Sequence, residues 1–141
     1  MKRFVLDASV ALGWFLGNPV PRYANRVKQF LLDGGRAVVP ALWHLEMANG
    51  LAVAERRGIL TVADADRCLV HIEQLLAQAI ESKTDFFSVR QALTTARAFQ
   101  LSAYDAVYLD TARRERLPLA TLDQRLRAAA TQADIDLLGR S

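Results

Sequence analysis

The chain has few residues that could form a soft metal site or a disulfide. Its 141 residues include one cysteine, Cys68, which cannot form an internal disulfide or build a thiolate metal site alone. The two histidines, His44 and His71, show no metal-ligand spacing, and on a helix His44 and Glu46 face different ways. Any metal site must therefore consist of oxygen ligands, which favours Mg²⁺ or Mn²⁺ over Zn²⁺.

A long apolar run is also absent. No stretch reaches the ~20 residues that a membrane span requires, and the N-terminus, MKRFVLDAS, reaches an acid too early for a signal peptide. We therefore expect a cytoplasmic protein with no membrane association. The composition, 52% hydrophobic and 23% charged, predicts one folded domain over residues 1–141.

Lysine is scarce, because fifteen of the eighteen basic residues are arginine. The net charge of +3 is a weak indication of an anionic partner. The planar guanidinium of arginine suits phosphate, so the bias is consistent with nucleic-acid binding. A genomic preference for arginine explains it equally well, and both interpretations stay open.

Short apolar segments alternate with helical patterns along the chain. The strands are predicted at residues 4–6, 37–39, 79–80, 119–121 and 135–138. The helices are predicted at residues 8–16, 22–32, 41–57, 62–76, 85–99, 102–116 and 123–133, the fourth of them beginning at a capping box on Thr61. This alternation predicts a three-layer α/β/α sandwich with a parallel five-stranded sheet.

Four carboxylates interrupt apolar stretches: Asp7 in FVLDAS, Glu46 in WHLEMAN, Asp105 in SAYDAVY and Asp123 in ATLDQRL. An ionised carboxylate is costly to bury unless it is paired or bound to a metal. Asp7 and Asp123 directly follow predicted strands, and the carboxyl ends of parallel strands meet at one edge of the sheet, where ligands bind. The four acids are therefore candidates for a shared cation site.

Each acid has a structural alternative. Asp7 and Asp123 could be helix N-caps, and Ser102 with Asp105 matches a capping pattern more strongly. Glu46 is the hardest to explain structurally, because it lies in the middle of a helix that is apolar on most faces, with Asn49 on the same face. Asp110 lies about 140° around the helix from Asp105, so we do not expect it in the same site.

These motifs, in this order and over residues 4–138, resemble the PIN-domain ribonucleases, and most of all the VapC toxins of toxin–antitoxin pairs. The resemblance implies a five-stranded α/β/α sandwich that binds Mg²⁺ or Mn²⁺ and cleaves RNA, leaving a 5′-phosphate and a 3′-hydroxyl. It also implies a homodimer inhibited by a VapB-type antitoxin. The segment 82–97 carries no motif of the family.

The resemblance assigns the positions of the site as well. Its four acidic positions fall on Asp7, Glu46, Asp105 and Asp123, and its polar supporting positions fall on Ser9, Asn49 and Thr121. We expect Asp7 and Asp105 to ligate the metal directly, and Glu46 and Asp123 to ligate it directly or through water. Candidates for RNA binding are Arg113, Arg114, Arg116, Arg125 and Arg127, each of which could equally belong to a solvated helix face.

Other functions fit the sequence less well. A phospho-receiver domain would need paired acids after the first strand and a lysine near the last, and a haloacid-dehalogenase-like phosphatase would need an acid where Ser9 stands. A non-catalytic module that binds nucleic acid or protein would use the same acids and stays an alternative. The apolar helix at 41–54 and the pair Trp14 and Phe15 are expected to line a dimer or antitoxin surface.

Overall fold

A parallel sheet forms the centre of the molecule in the computed structural model, which describes residues 2–139. Its strands are β1 (Arg3–Leu6), β2 (Arg36–Pro40), β3 (Ile80–Lys83) and β4 (Leu119–Ala120). The strand order is β3-β2-β1-β4, and Val5 of β1 pairs with Val38 on one side and Leu119 on the other. β1 is therefore a central strand, and three of its four residues, Phe4, Val5 and Leu6, are fully buried.

In the part of the chain that the structure describes, seven helices connect and cover these strands: α1 (Ala8–Leu16), α2 (Arg22–Leu32), α3 (Leu42–Arg56), α4 (Val62–Gln78), α5 (Val89–Phe99), α6 (Ala103–Glu115) and α7 (Gln124–Gln132). The chain crosses from β1 to β3 in one direction and returns to β4 in the other. Since parallel crossovers are right-handed, α1–α4 lie on one face of the sheet and α5 and α6 on the other. None of the helices within residues 2–139 is both long and apolar enough to cross a membrane.

The predicted fifth strand at 135–138 is reduced to one parallel bridge, between Leu119 and Leu137. The Leu119 amide donates to the Asp136 carbonyl, and the Leu138 amide donates to the Leu119 carbonyl, both at 2.9 Å. β4 is only two residues long, so it offers a single position for this pairing. The prediction of five strands is therefore wrong for the described residues, while the parallel α/β architecture is confirmed.

The start of α5 also differs from the prediction, which placed it at residue 85. Ser88 accepts a hydrogen bond from the Gln91 amide at 3.1 Å, and the Gln91 side chain accepts one from the Ser88 amide at 3.3 Å. This capping box starts the helix at Val89. The box predicted at Thr61 is present, with Asp64 as its partner.

Several of the apolar residues expected on a partner surface belong to the core of the chain. Trp14 is buried, and its indole N–H donates to the Ala24 carbonyl at 2.7 Å. Trp43 and Met47 of α3 are also buried. The expectation is therefore wrong for these three side chains, since they stabilise the fold itself.

Candidate active site

The four predicted acids line one cavity of about 320 Å³ at the carboxyl end of β1. Its walls are formed by Asp7, Ala8, Ser9, Leu12, Glu46, Asn49, Gly50, Asp105 and Asp123. A larger surface cavity, of about 780 Å³, lies beside residues 134–139 and contains none of the four. The structure therefore brings together all four acids predicted from the sequence. They come from the end of β1, from α3, from α6 and from the β4–α7 junction.

Asp7 lies at the end of β1, where its amide donates to the Ala120 carbonyl at 2.9 Å. Asp7 occupies the N-cap position of α1, but its side chain makes no capping hydrogen bond. Instead Oδ2 accepts hydrogen bonds from the hydroxyls of Ser9, at 2.6 Å, and Thr121, at 2.7 Å. Burial raises the pKa of Asp7 above its usual value, the two hydroxyls lower it, and the nearby Asp123 raises it.

Ser9 and Thr121 form a small network that joins the ends of β1 and β4. The Ser9 hydroxyl accepts from the Leu122 amide, and the Thr121 hydroxyl accepts from the Asp123 amide, both at 3.0 Å. Ser9 and Thr121, two of the three predicted supporting residues, therefore contact Asp7 and the backbone beside Asp123. The third, Asn49, is exposed and lines the cavity, but its side chain makes no hydrogen bond to the rest of the described chain.

Asp123 caps α7 and lines the cavity at the same time. Its Oδ1 accepts from the Leu126 amide at 2.9 Å, as the capping interpretation predicted. Asp105 lies in the first turn of α6, where Ser102 is the N-cap residue. The Asp105 amide donates to the Ser102 hydroxyl at 3.1 Å. Burial, followed by the charges of Asp123 and Asp7, raises the pKa of Asp105. Capping and a place in the site are thus compatible for both acids.

Glu46 projects from the middle of α3 and is half-buried. Its Oε1 accepts a hydrogen bond of 2.6 Å from the hydroxyl of Tyr108, a fully buried residue of α6. Burial raises the pKa of Glu46, the Tyr108 hydrogen bond lowers it, and the charges of Asp7 and Asp105 raise it. Tyr108 was missed in the sequence, although its position three residues after Asp105 places it on the same helix face.

The charges in this cavity are not neutralised by basic side chains of residues 2–139. The ion pairs in that part of the chain engage other acids, namely Asp64, Glu81, Asp110 and Glu115. Hard oxygen donors with uncompensated negative charge are the chemistry that Mg²⁺ and Mn²⁺ require. Within residues 2–139, however, no three His, Cys, Asp or Glu side chains are close enough to hold one ion as they stand.

Two of the five candidate arginines lie on α7, which begins at the site. Arg127 donates from Nη1 to the Thr121 carbonyl at 2.7 Å, and its guanidinium stacks over the Tyr23 ring at 4.8 Å. Arg127 therefore stabilises the backbone at the end of β4, next to Asp7. Arg125, in the first turn of α7, is exposed.

The other three, Arg113, Arg114 and Arg116, lie at the far end of α6. Arg113 is eight residues beyond Asp105, about 12 Å along the helix axis. Glu115, beside them, approaches Arg3 at 3.8 Å and Lys83 at 3.6 Å, and none of the three arginines lines the acidic cavity. The structure does not bring these three arginines to the cavity.

Arg113 and Arg114 make contacts with residues near them instead. Arg113 pairs with Asp110 at 2.7 Å, and the Arg114 guanidinium lies 4.1 Å from the centre of the Phe87 ring. Asp110 also accepts hydrogen bonds from Thr95 at 2.9 and 3.0 Å. As the helical spacing predicted, Asp110 lies outside the acidic cavity.

The chain thus combines a parallel α/β fold with four acids at the carboxyl edge of its sheet. Comparison with known proteins identifies its family. The PIN domain family matches residues 4–132, and the chain belongs to it. The resemblance seen in the sequence is therefore confirmed at the level of the family. Comparison with curated proteins gave no match.

Solved structures share the fold at low sequence identity. PAE2754 from Pyrobaculum aerophilum is 19% identical with a TM-score of 0.67, covering 91% of this chain and 84% of that one. FitAcB from Neisseria gonorrhoeae is 20% identical with a TM-score of 0.64, covering 95% of both chains. VapBC2 from Rickettsia felis, solved with a DNA fragment from their promoter, is 11% identical with a TM-score of 0.58, covering 96% and 97%.

Proposed function

We propose that this protein is a metal-dependent endoribonuclease that hydrolyses RNA phosphodiester bonds and acts as the toxin of a VapBC-type toxin–antitoxin pair. The observation that carries the proposal is the cavity at the carboxyl end of β1, which gathers Asp7, Glu46, Asp105 and Asp123 in a PIN-family chain. The motif order of the sequence supports the VapC type, and a chain of VapBC2 shares the fold.

In this proposal Asp7 and Asp105 bind Mg²⁺ or Mn²⁺ directly, and Glu46 and Asp123 bind it directly or through water. The cation would activate a water molecule and stabilise charge on the phosphate and the leaving oxygen. The hydroxyls of Ser9 and Thr121 hold Oδ2 of Asp7, which leaves Oδ1 outside both contacts. Asn49 faces the same cavity and would orient water or substrate there.

The electrostatics of the cavity support a cation. Burial and the neighbouring acids raise the pKa values of Asp7, Glu46 and Asp105, which means that their ionised forms are destabilised where they lie. A bound divalent ion would relieve that cost. Because no three of these side chains yet surround one point, metal binding would require side chains of the cavity to rotate inward.

RNA would approach along α7, which begins at the cavity and carries the candidate phosphate ligands Arg125 and Arg127. Arg127 is already engaged by the Thr121 carbonyl, so the exposed Arg125 is the better phosphate ligand of the two.

The products would carry a 5′-phosphate and a 3′-hydroxyl. A VapB-type antitoxin and a second copy of the chain complete the proposal, and a monodisperse monomer at high concentration would contradict the homodimer.

The central experiment measures RNA cleavage with and without Mg²⁺ or Mn²⁺, for the wild type and for Asp7→Asn. The substitution keeps the shape of the side chain and removes its charge, so cleavage should fall to background while the wild type depends on metal. Asp66→Asn, on the exposed side of α4, is the matched control and should cleave normally. Unchanged cleavage by Asp7→Asn would falsify the proposed site.

A non-catalytic module that binds nucleic acid or protein is the second candidate. The separation of the carboxylates in the present arrangement favours it, since no three of them surround one point within residues 2–139. A thermal-melt shift with millimolar Mn²⁺ separates the two functions, because a formed metal site stabilises the folded state. RNA binding without a shift and without cleavage would select the binding module.

A further inference from the structure

The hydrogen bond between Tyr108 and Glu46 links two helices that both supply acids to the cavity. Glu46 belongs to α3, whereas Tyr108 belongs to α6 and lies one turn after Asp105. The bond is short, 2.6 Å, and its donor is a fully buried tyrosine. The position of the Glu46 carboxylate is therefore tied to the helix that carries Asp105.

The bond also distinguishes the two oxygens of Glu46. Oε1 accepts the tyrosine hydroxyl, while Oε2 receives no hydrogen bond from residues 2–139. A free glutamate side chain has several rotatable bonds, and the charges of Asp7 and Asp105 repel it from the cavity. Tyr108 counters both effects, since it restricts the carboxylate and holds it beside the other acids.

We infer that Tyr108 is a positioning residue of the metal site, which holds Glu46 by Oε1 so that Oε2 is presented to the divalent cation. The inference rests on the proposed metal-dependent function. It assigns to Tyr108 no contact with RNA or with the reacting atoms. Groups that orient a metal ligand in this way commonly change metal affinity or activity when they are removed.

If the Tyr108 hydroxyl had a purely structural role, it would not require the Glu46 carboxylate as its hydrogen-bond acceptor. The other buried tyrosine, Tyr23, donates its hydroxyl to the Leu138 backbone carbonyl at 2.8 Å, which satisfies the hydroxyl without any acid. Tyr108 instead donates to a carboxylate that lines the candidate site. The two tyrosines therefore form a matched pair, one with a structural acceptor and one with an acceptor in the cavity.

The test is calorimetric titration of Mn²⁺ into the metal-free protein. Tyr108→Phe keeps the ring and removes the hydroxyl, and its Mn²⁺ affinity should be about 10- to 100-fold weaker than that of the wild type. Glu46→Gln should weaken binding as well, and the double variant should bind no more weakly than Glu46→Gln alone. Losses that simply add would overturn the inference, because Tyr108 would then act independently of Glu46.

Activity supplies a second readout that a folding defect would not reproduce. Cleavage by Tyr108→Phe should be slow at low Mn²⁺ and should recover towards the wild-type rate at saturating Mn²⁺. Tyr23→Phe removes a comparable buried hydroxyl and should retain wild-type Mn²⁺ affinity. A similar loss of affinity in Tyr23→Phe, or unchanged affinity in Tyr108→Phe, would refute the role of Tyr108.

The same titration distinguishes failure of this inference from failure of the proposed function. If the wild type takes up no Mn²⁺, the metal site itself is disproved, and the role of Tyr108 with it. If the wild type and Tyr108→Phe bind Mn²⁺ equally while Asp7→Asn does not, the metal site stands and only the role of Tyr108 is rejected.

Discussion

The hydroxyl of Thr121 donates to Oδ2 of Asp7 across 2.7 Å, although the two residues are 114 positions apart in the chain. The contact exists because β1 and β4 are parallel neighbours whose last residues, Leu6 and Ala120, are paired. Thr121 is fully buried and also accepts from the Asp123 amide at 3.0 Å. One hydroxyl thus fixes two of the four acids relative to each other.

Removing this hydroxyl should impair the site more than it impairs the fold. Thr121→Val keeps the shape of the side chain but leaves the Asp123 amide without its acceptor, at a cost of about 1–3 kcal/mol in unfolding free energy. We expect a fall in cleavage of about 10- to 100-fold, measured at fixed Mn²⁺. Thr121→Ser retains the hydroxyl and should keep most of the activity, and equal activity of the two variants would contradict this role.

The same substitution should shift the pH dependence of cleavage. The Thr121 hydroxyl lowers the pKa of Asp7, so its loss raises that pKa and keeps the carboxylate protonated to higher pH. The acidic limb of the pH–rate profile should therefore move to higher pH in Thr121→Val. Thr121→Ser should leave the limb in place, because the donor is still present.

Asp7 should destabilise the metal-free protein at neutral pH. Its pKa in the folded state is raised mainly by burial, so the folded state binds the proton more tightly than the unfolded state does. The contribution of Asp7 to stability is then fully present below its unfolded pKa and is lost as the pH rises through its folded pKa. Metal-free Asp7→Asn should therefore be more stable than the wild type at pH 7.

Urea unfolding in a chelator, at several pH values, measures this effect. The difference between Asp7→Asn and the wild type should shrink towards acidic pH, where both side chains are uncharged. Added Mn²⁺ should reverse the order by stabilising only the wild type. A metal-free variant that is less stable than the wild type at pH 7 would show that the hydroxyl contacts outweigh burial.

The sequence was sufficient to place the acids because their signals are local. Asp7 and Asp123 follow apolar strands directly, and Glu46 interrupts an apolar helix, so the element boundaries alone predict where they lie. The parallel sheet then brings the strand ends together at one edge. The position of the cavity could therefore be deduced without knowledge of any distance.

Pairings across the fold were not accessible in the same way. Tyr108 has the sequence context of an apolar core residue, and its bond to Glu46, 62 positions away in the chain, is visible only in the folded structure. For a related reason the sequence could not show which candidate arginines lie near the acids, since Arg113, Arg114 and Arg116 follow Asp105 closely in sequence but do not line the cavity. The strand predicted at 135–138 is reduced to one bridge, because β4 has only two residues with which a neighbouring strand could pair.

The arginine positions lead to a prediction about RNA binding. Measured in an Asp7→Asn background to prevent cleavage, Arg125→Ala should weaken binding and reduce the slope of log affinity against log salt by about 0.7, the value for one phosphate contact on a single strand. Arg116→Ala, an exposed arginine at the far end of α6, is the matched control. Equal effects of the two substitutions in fluorescence anisotropy would remove α7 as the path of the RNA.

Gly50 tests whether the wall of the cavity is closely fitted. It lies within α3, where alanine is favoured over glycine by about 1 kcal/mol, so helix propensity alone predicts that Gly50→Ala stabilises the protein. A Cβ at this position would lie only 2.5 Å from Cδ2 of Leu12, and both residues line the acidic cavity. The Leu12 side chain must move, which changes the cavity wall. We expect cleavage to fall several-fold while stability changes by less than about 1 kcal/mol.

Two further variants isolate the cause. Gly13→Ala places its Cβ at 3.6 Å from Ala24, Pro21 and Leu122, an ordinary van der Waals distance, so it should stabilise α1 by about 0.5–1 kcal/mol and leave cleavage unchanged. Leu12→Ala removes the atoms that the new Cβ would meet, so adding Gly50→Ala to it should cause no further loss of cleavage. If the two losses instead multiply, the effect of Gly50→Ala arises in α3 itself, and close contact with Leu12 does not shape the site.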